Sequence, residues 1–408
     1  MRICFLSRRY FPTISGMSVY ADNMVRQMVG GGLGHDVTML SQYYGGTTAG
    51  VYGGGPPPGI DGATVVGFES VGEQTAGDFE SDIAELVEAV KQRHAGQAFD
   101  VVHAQYGYPT GYAALVAARD LGLPCVISIQ GGDGHWVGDC CGTHRDAMRT
   151  VCRDADAVII GSDSFAGEVS DRLDVPREVF TIIPGAVDTS RFHPRDGREV
   201  GGLSDVPKLL YHGRVDARKG VLELLDAVEL LRQDGREFTL RVSGIGPDFD
   251  ETRRRADGMA GIEATGHADY FAAPEIYRAA DLFVSPTHAE GFSNTVLEAM
   301  ASGLPIVSCD AVGVRDCLAD GRDALLVPVS DVPALAAAIG RMLDDADLRR
   351  RLATTALDEV RELYAWPAVA KRISDVYERV AATPPGTEVD RLTGDPDPCK
   401  FRAEPHLL

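Results

Sequence analysis

The sequence holds 8 cysteines in 408 residues yet lacks a Cys-x-x-Cys pair: they stand at Cys4, Cys125, Cys140, Cys141, Cys152, Cys309, Cys317 and Cys399. Adjacent Cys140 and Cys141 have poor spacing for zinc ligands, so the pattern argues against a metal module and reads as reduced thiols in a cytoplasmic protein. No stretch approaches the ~20 apolar residues of a membrane span, and the opening run through Leu6 is too short for a signal peptide. Positive charge is also scarce. With 39 Lys+Arg against 60 Asp+Glu the formal charge is -21. Nucleic acid is excluded as a main partner, because its backbone demands clustered Lys and Arg to replace counterions. What is present is ordinary for globular chains, 44% apolar and 24% charged residues. At roughly 150 residues per domain, that length predicts two domains.

Short apolar runs alternate with helix-length segments along the whole chain. Strands are predicted at Arg2-Ile3-Cys4-Phe5-Leu6-Ser7, Asp36–Leu40, Thr64–Phe68, Asp100–His103, Cys125–Ile129, Ala157–Ile160 and Phe180–Pro184. A second series begins at Lys208–Gly213 and continues through Phe238–Gly244, Leu282–Ser285, Pro305–Ser308 and Ala324–Val327. Short apolar strands spaced by helices mean parallel βαβ units, hence two doubly wound α/β domains. The predicted boundaries are an N-terminal domain over 1–186, a polar linker over 187–206, and a second domain over 207–363. A helix follows over 364–382, then a Pro-rich tail over 383–408, extended on the surface or disordered. One long helical stretch is read over 331–380. Gly30-Gly31-Gly32-Leu33-Gly34 lies at a helix end before a strand and reads as a turn rather than a nucleotide loop.

Two segments carry chemistry. In Glu290-Gly291-Phe292-Ser293-Asn294-Thr295-Val296-Leu297-Glu298, Ser293 or Asn294 caps a helix that starts directly after a strand. Amides around 292–295 then point at an anion such as pyrophosphate. Glu290 sits before that helix and Glu298 one turn inside it, so one carboxylate is suited to a sugar and the other to a ribose; the alternative is a capped helix with two surface acids. Gly213-Arg214-Val215-Asp216-Ala217-Arg218-Lys219-Gly220 follows another strand. Arg214 and Lys219 suit a diphosphate leaving group whose charge grows as a bond breaks, although a solvated basic turn has the same composition. Asp-x-Asp occurs at 154–156, 345–347 and 395–397, the first two in helical segments and the third in the tail, which argues against a metal role.

Together these residues resemble the retaining glycosyltransferases of family 4. The resemblance rests on Glu290 with Glu298, Gly213-Arg214 with Lys219-Gly220, Ser243-Gly244-Ile245-Gly246-Pro247, Pro184-Gly185-Ala186-Val187-Asp188 and Tyr364-Ala365-Trp366, and it covers most of the chain. It implies the GT-B architecture, two Rossmann-like domains facing an interdomain cleft, with the last helix returning to the first domain. It implies sugar transfer from a UDP-sugar with retained anomeric configuration, by front-face attack, without a required metal or other cofactor. Carried over, Arg214 and Lys219 hold the donor pyrophosphate and Glu298 the ribose hydroxyls. Glu290 meets the donor sugar or steadies charge at the anomeric carbon. Phe292, Ser293 and Asn294 give backbone contacts, Gly244 and Gly246 lie by the nucleobase, and Gly16 brings its amide toward phosphate. Ser15 stands where many members have a first glycine. Gln130 stands where many have a histidine; it hydrogen-bonds but cannot titrate, which leaves Asp133 and His103 as candidate bases toward the acceptor hydroxyl. A satisfied histidine at a strand end is the alternative for His103.

Segments Ser7–Tyr20, Val51–Pro58 and Gln130–Gly138 further resemble the glycosyltransferases of aminoglycoside antibiotic biosynthesis, which act on 2-deoxystreptamine compounds such as paromamine with kanosaminyl or xylosyl transfer as examples. A polyamine-like acceptor calls for carboxylates, and Glu69, Glu73, Asp78, Glu80, Asp133 and Asp139 are available; Trp136, Tyr106, Tyr108 and Tyr112 are candidates to stack on sugar faces, with core packing as their alternative. Acidity does not single out this reading, since both halves of the chain are acidic. Transfer to a cell-envelope or other small acceptor, a sugar-nucleotide epimerase and a non-catalytic sugar-nucleotide binder are the competing functions.

Overall fold

The structure, a computed structural model, describes residues 1–404 other than 9, 14, 46–52, 73–76 and 394, and without the side chains of residues 133 and 270. Val51, Tyr52 and Glu73 therefore fall outside the described residues, as does the side chain of Asp133. The chain forms two compact units, Met1–Pro184 with Trp366–Leu408, and Gly185–Ala365. Among the described residues no helix is long and apolar enough to cross a membrane.

The first unit is built on strands β1 (Arg2–Ser7), β2 (Asp36–Tyr43), β3 (Thr64–Glu69), β4 (Val101–Gln105), β5 (Cys125–Ile129), β6 (Ala157–Ile160) and β7 (Phe180–Ile182). They form one parallel sheet in the order β3-β2-β1-β4-β5-β6-β7. Every residue of β4 and β5 is buried, the signature of a sheet covered on both faces. Because β4 carries polar residues into that core, each needs a partner. His103 has Tyr377 Oη at 2.6 Å from Nδ1 and Ser128 Oγ at 2.8 Å from Nε2. Gln105 accepts from Ser7 Oγ at 3.1 Å and donates to the Met17 carbonyl at 3.2 Å. Tyr377 belongs to the helix Trp366–Ala381, whose Ser374 also meets His35 Nε2 at 2.8 Å. These bonds fasten the last long helix to the first unit.

The second unit contains β8 (Lys208–His212), β9 (Thr239–Ser243), β10 (Ile262–Gly266), β11 (Leu282–Ser285), β12 (Ile306–Cys309) and β13 (Leu325–Val327). Their order is β10-β9-β8-β11-β12-β13, again parallel. Two doubly wound sheets are thus present, as the alternation of runs predicts. β10 has no counterpart among the predicted strands: it lies at the sheet edge, and Glu263 and Thr265 interrupt any apolar run.

Two further expectations need correction. The stretch read as one helix over 331–380 is three, Val332–Asp344, Ala346–Leu363 and Trp366–Ala381. Asp345 breaks the first from the second by capping the Leu348 amide at 2.9 Å. Of Asp154 and Asp156, only Asp154 is helical; Asp156 binds Arg119 at 2.9 Å and the Cys125 amide at 2.7 Å. The described part of the tail runs extended and ends in the short helix Lys400–Ala403. Its Leu392 amide reaches Tyr112 Oη at 2.7 Å, and the Gly386 amide reaches Asp156 Oδ1 at 2.9 Å.

The loops after β8 and β9 touch so closely that Gly244, at φ 147°, has no room for a side chain: a Cβ there would collide with the Gly213 carbonyl oxygen. Gly244→Ala is therefore expected to destabilise the second unit by about 2 kcal/mol through strain and displacement of that loop. Gly30→Ala, in a helix with open space around it, should change stability by no more than about 1 kcal/mol. Denaturant titration of both variants checks this; equal small effects would refute the steric account.

Candidate active site

In the second unit strand order reverses between β8 and β11, and such a switch point opens a crevice at the carboxyl ends of the strands. The loops that leave these two strands carry the residues singled out by the sequence. After β8, the Gly213 amide bonds the Ser243 carbonyl at 3.0 Å and the Val215 amide bonds the Ile245 carbonyl at 2.9 Å. The two loops run side by side, and Gly246 is required for the same reason as Gly244, since a Cβ would strike the Val215 carbonyl. Tyr211 Oη donates to the Arg214 carbonyl at 2.6 Å. Gly220, at φ 70°, closes the short turn Ala217–Lys219 and lies against the Pro286 carbonyl just beyond β11.

The cations are held by carboxylates from the same loops. Arg214 Nε lies 3.2 Å from Asp216 Oδ2, and Arg218 Nη2 lies 2.6 Å from the same oxygen. Burial pushes the Asp216 carboxyl up. Hydrogen bonds from the Arg218 side chain and amide, with the charges of Arg218 and Arg214, outweigh burial and hold it below the ordinary value. Lys219 Nζ lies 2.8 Å from Glu290 Oε2 and donates to the Ala289 carbonyl at 3.0 Å. The structure thus pairs two residues that the motifs place 71 positions apart.

Glu290 is anchored through its backbone: its amide donates to the Val312 carbonyl at 2.9 Å, and Gly313 lets the chain pass against the Glu290 carbonyl. The helix that follows is Asn294–Ala301, with Ser293 at the N-cap position. The Ser293 side chain makes no capping bond to the helix, contrary to the expected cap, and instead lies 3.4 Å from Thr295 Oγ1. Phe292 packs on Tyr364 with ring centroids 5.6 Å apart, and Gly185 leaves space for Phe292 and Asn294. Glu298 accepts from Tyr277 Oη at 2.7 Å. Burial pushes its carboxyl up to about 7 against the opposing Tyr277 hydrogen bond and Arg191 charge. Sequence reasoning did not single out Tyr277, Asp216 or His288. His288 Nε2 lies 3.0 Å from Glu223 Oε1 beside the Lys219 loop. Asp216 stands inside the quoted basic motif, a usable signal, whereas nothing in the spacing links Tyr277 to Glu298.

In the first unit Gly16 opens the helix Gly16–Gly30, capped by Ser15 Oγ accepting from the Ser18 amide at 3.2 Å. Gln130 is partly exposed at the end of β5, and its carbonyl accepts from the Gly134 amide at 2.8 Å in the helix Gly131–Trp136. The glycines there answer a packing need: a Cβ on Gly132 would strike Tyr106 Oη, and one on Gly134 would strike Phe165. Trp136 is 38% exposed, while Tyr106, Tyr108 and Tyr112 are buried at 4%, 0% and 5%, so these three tyrosines are core rather than stacking platforms. His103 is also corrected as an acceptor base. It is wholly buried between Tyr377 and Ser128, and burial lowers its ring pKa to about 3.

The first unit brings together one group absent from the sequence reading. Cys140, Cys141, His144 and Cys399 present their ligand atoms within 4.8 Å of one another, a grouping that spacing along the chain does not reveal because Cys399 is brought beside the other three only by folding. Burial raises the Cys141 thiol to about 12 and lowers the His144 imidazole to about 4.

Residues 206–345 match the family described as glycosyl transferases group 1, and residues 15–186 match the glycosyl transferase 4-like domain. A D-inositol 3-phosphate glycosyltransferase of Nocardioides is 30% identical over 317 residues, 70% of this chain and 68% of that protein. The alpha-D-kanosaminyltransferase of Streptomyces kanamyceticus is 29% identical over 243 residues, 57% of this chain and 63% of that protein. Among solved structures, Anabaena HepE in complex with UDP and glucose superposes with a TM-score of 0.70 at 16% identity, covering 92% of this chain and 99% of that one. With both halves matched and a 30%-identical relative sharing two thirds of its length, the chain belongs to the group 1 glycosyltransferases and is a transferase enzyme of the GT-B fold.

Proposed function

We propose that this enzyme moves a sugar, of kanosamine, xylose, glucose or N-acetylglucosamine type, from a UDP-sugar to a 2-deoxystreptamine-containing acceptor such as paromamine, retaining the anomeric configuration. The observation that carries the donor side is the convergence of Arg214, Lys219, Glu290 and the start of helix Asn294–Ala301 at the switch point of the second sheet. The UDP and glucose bound by HepE support the donor class, and the likeness to the kanosaminyltransferase supports the acceptor class.

In this reading Lys219 and Arg214 exchange carboxylate partners for diphosphate oxygens, stabilising charge that grows as the glycosidic bond to phosphate breaks. The helix start adds backbone donors to the same anion. Glu290, released from Lys219, faces the positive charge that develops at the anomeric carbon. Glu298 takes the ribose hydroxyls. Gln130 cannot titrate and His103 is sealed in the core, which leaves Asp133 and the departing diphosphate as acceptors for the proton of the attacking hydroxyl. No metal is needed for these steps. A cytoplasmic location is part of this reading, supported by the free cysteines.

Purified enzyme incubated with EDTA and a panel of UDP- and dTDP-sugars, with and without paromamine, tests the reading by mass spectrometry. The expected outcome is a gain of one sugar on paromamine. Slow donor hydrolysis without gain on paromamine would overturn the acceptor, and dTDP-sugar use alone would overturn the base.

Lys219→Ala and Arg214→Ala should each lower kcat/KM by a factor of ~10² or more, the scale of losing one preorganised charge-stabilising contact. Full turnover in both would remove the diphosphate assignment. Glu298 supplies a pH signature. Its folded pKa is raised, so its contribution to stability is present below the unfolded value of 4.5 and is lost as pH rises through about 7. The ionised form is the better acceptor of ribose hydroxyls, so donor KM should fall as pH rises through about 7. Glu298→Gln should flatten that profile and gain stability relative to wild type above the same pH; an unchanged profile would dissociate Glu298 from the donor.

A further inference from the structure

We propose that Cys140, Cys141, His144 and Cys399 form a structural zinc site that clasps the C-terminal segment to the first unit. The four residues supply three sulfurs and one ring nitrogen, a set that zinc takes in closed, fully protein-ligated sites. Soft thiolates with imidazole disfavour calcium and magnesium, which take oxygen ligands.

The distances fit such a cation. Cys140 Sγ is 3.1 Å and Cys399 Sγ 3.7 Å from His144 Nδ1. Zinc–sulfur bonds of ~2.3 Å in a tetrahedron put ligand atoms roughly 3.8 Å apart. Local structure presents three of the ligands together: Cys141 is the N-cap of the helix Gly142–Asp154, and His144 lies in its first turn. The imidazole is fixed between aromatic rings, with Tyr108 at 4.5 Å and Phe79 at 5.6 Å between centroids.

The fourth ligand arrives on a segment that is tied down on both sides of Cys399. Before it, Asp397 accepts from the Thr143 amide at 3.0 Å and donates its own amide to Thr143 Oγ1 at 2.9 Å. After it, Phe401 is buried, and Arg402 bonds Glu80 at 2.8 and 2.6 Å and the Gly77 carbonyl at 3.0 Å. Lys400 Nζ lies 5.9 Å from the Trp136 ring. On metal entry each thiol releases its proton to solvent, and zinc undergoes no redox change. The site takes no part in the transfer chemistry and does not rest on the acceptor or donor assignment.

The test uses the full-length protein purified in reductant and assayed for metal by plasma mass spectrometry. About one zinc per chain is expected, released in equal amount when a mercurial titrates the thiols. Cobalt in its place should show intense tetrahedral ligand-field bands and thiolate charge transfer. Cys399→Ser should lose the zinc, whereas Cys309→Ala, a buried cysteine outside the cluster, should keep it. Should Cys399→Ser fail to fold, the wild-type cobalt spectrum decides. Absence of zinc above background after growth with added zinc, an intact mass reporting a disulfide among these cysteines, an octahedral cobalt spectrum, or zinc retained in full by folded Cys399→Ser would each overturn the site.

Discussion

The constraint on which the rest depends is the handedness of parallel strand connections. Crossover connections return each strand of a βαβ unit in the same direction, so every strand's carboxyl end, and every loop that leaves it, lies at one edge of its sheet, and their right-handedness fixes which face each connecting helix covers. In the second unit the order β10-β9-β8-β11-β12-β13 turns around between β8 and β11. The helices that follow those two strands cover opposite faces, which leaves the crevice where the Arg214–Lys219 loop meets the Ala289–Asn294 loop. Both motifs meet because of this reversal, and the Lys219–Glu290 ion pair forms where they do.

Electrostatics then decides how the crevice is kept in order. The described site holds its cations against carboxylates, Arg214 and Arg218 on Asp216, Lys219 on Glu290. Such pairs are partly exposed and contribute little to stability on their own. Their effect is on position: long flexible side chains are held at the carboxyl ends of the strands, where the proposed function has a diphosphate take over one partner. Glu298 differs, since its carboxyl is desolvated and rests on one phenol, Tyr277, in a setting that favours the neutral form. Glycines at 220, 244 and 246 complete the arrangement by allowing backbone to approach backbone.

The first unit solves a different problem. Its central strand β4 carries His103 and Gln105 into a sheet covered on both faces, and the cost of burying them is offset by complete hydrogen bonding. Tyr377 supplies part of that bonding from a helix near the end of the chain, and the segment beyond it continues over the same unit through Tyr112, Asp156, Thr143 and Glu80. Residues distant in sequence thereby become structural members of the first sheet's surroundings.

By itself the sequence determined the class of fold and the two segments that make up the proposed donor site. Seven strands of the first sheet and five of the second are read from apolar runs, most of them because a strand buried on both faces is apolar along its length; edge strand β3 is read from Val65 and Val66 although it is partly exposed. Glu290, Glu298, Arg214 and Lys219 stand out because helix starts and glycine turns leave local marks. What is not local was not legible. β10 lies at an edge and carries polar residues; Tyr277 meets Glu298, and Lys219 meets Glu290, only through strand order. His103 reads equally as base or core residue until Tyr377 folds onto it. Cys399 completes a ligand set with residues 255 positions away from it at His144. Tertiary structure alone decided these, since spacing along a chain records which groups share a turn or a helix, and folding determines which turns share a space.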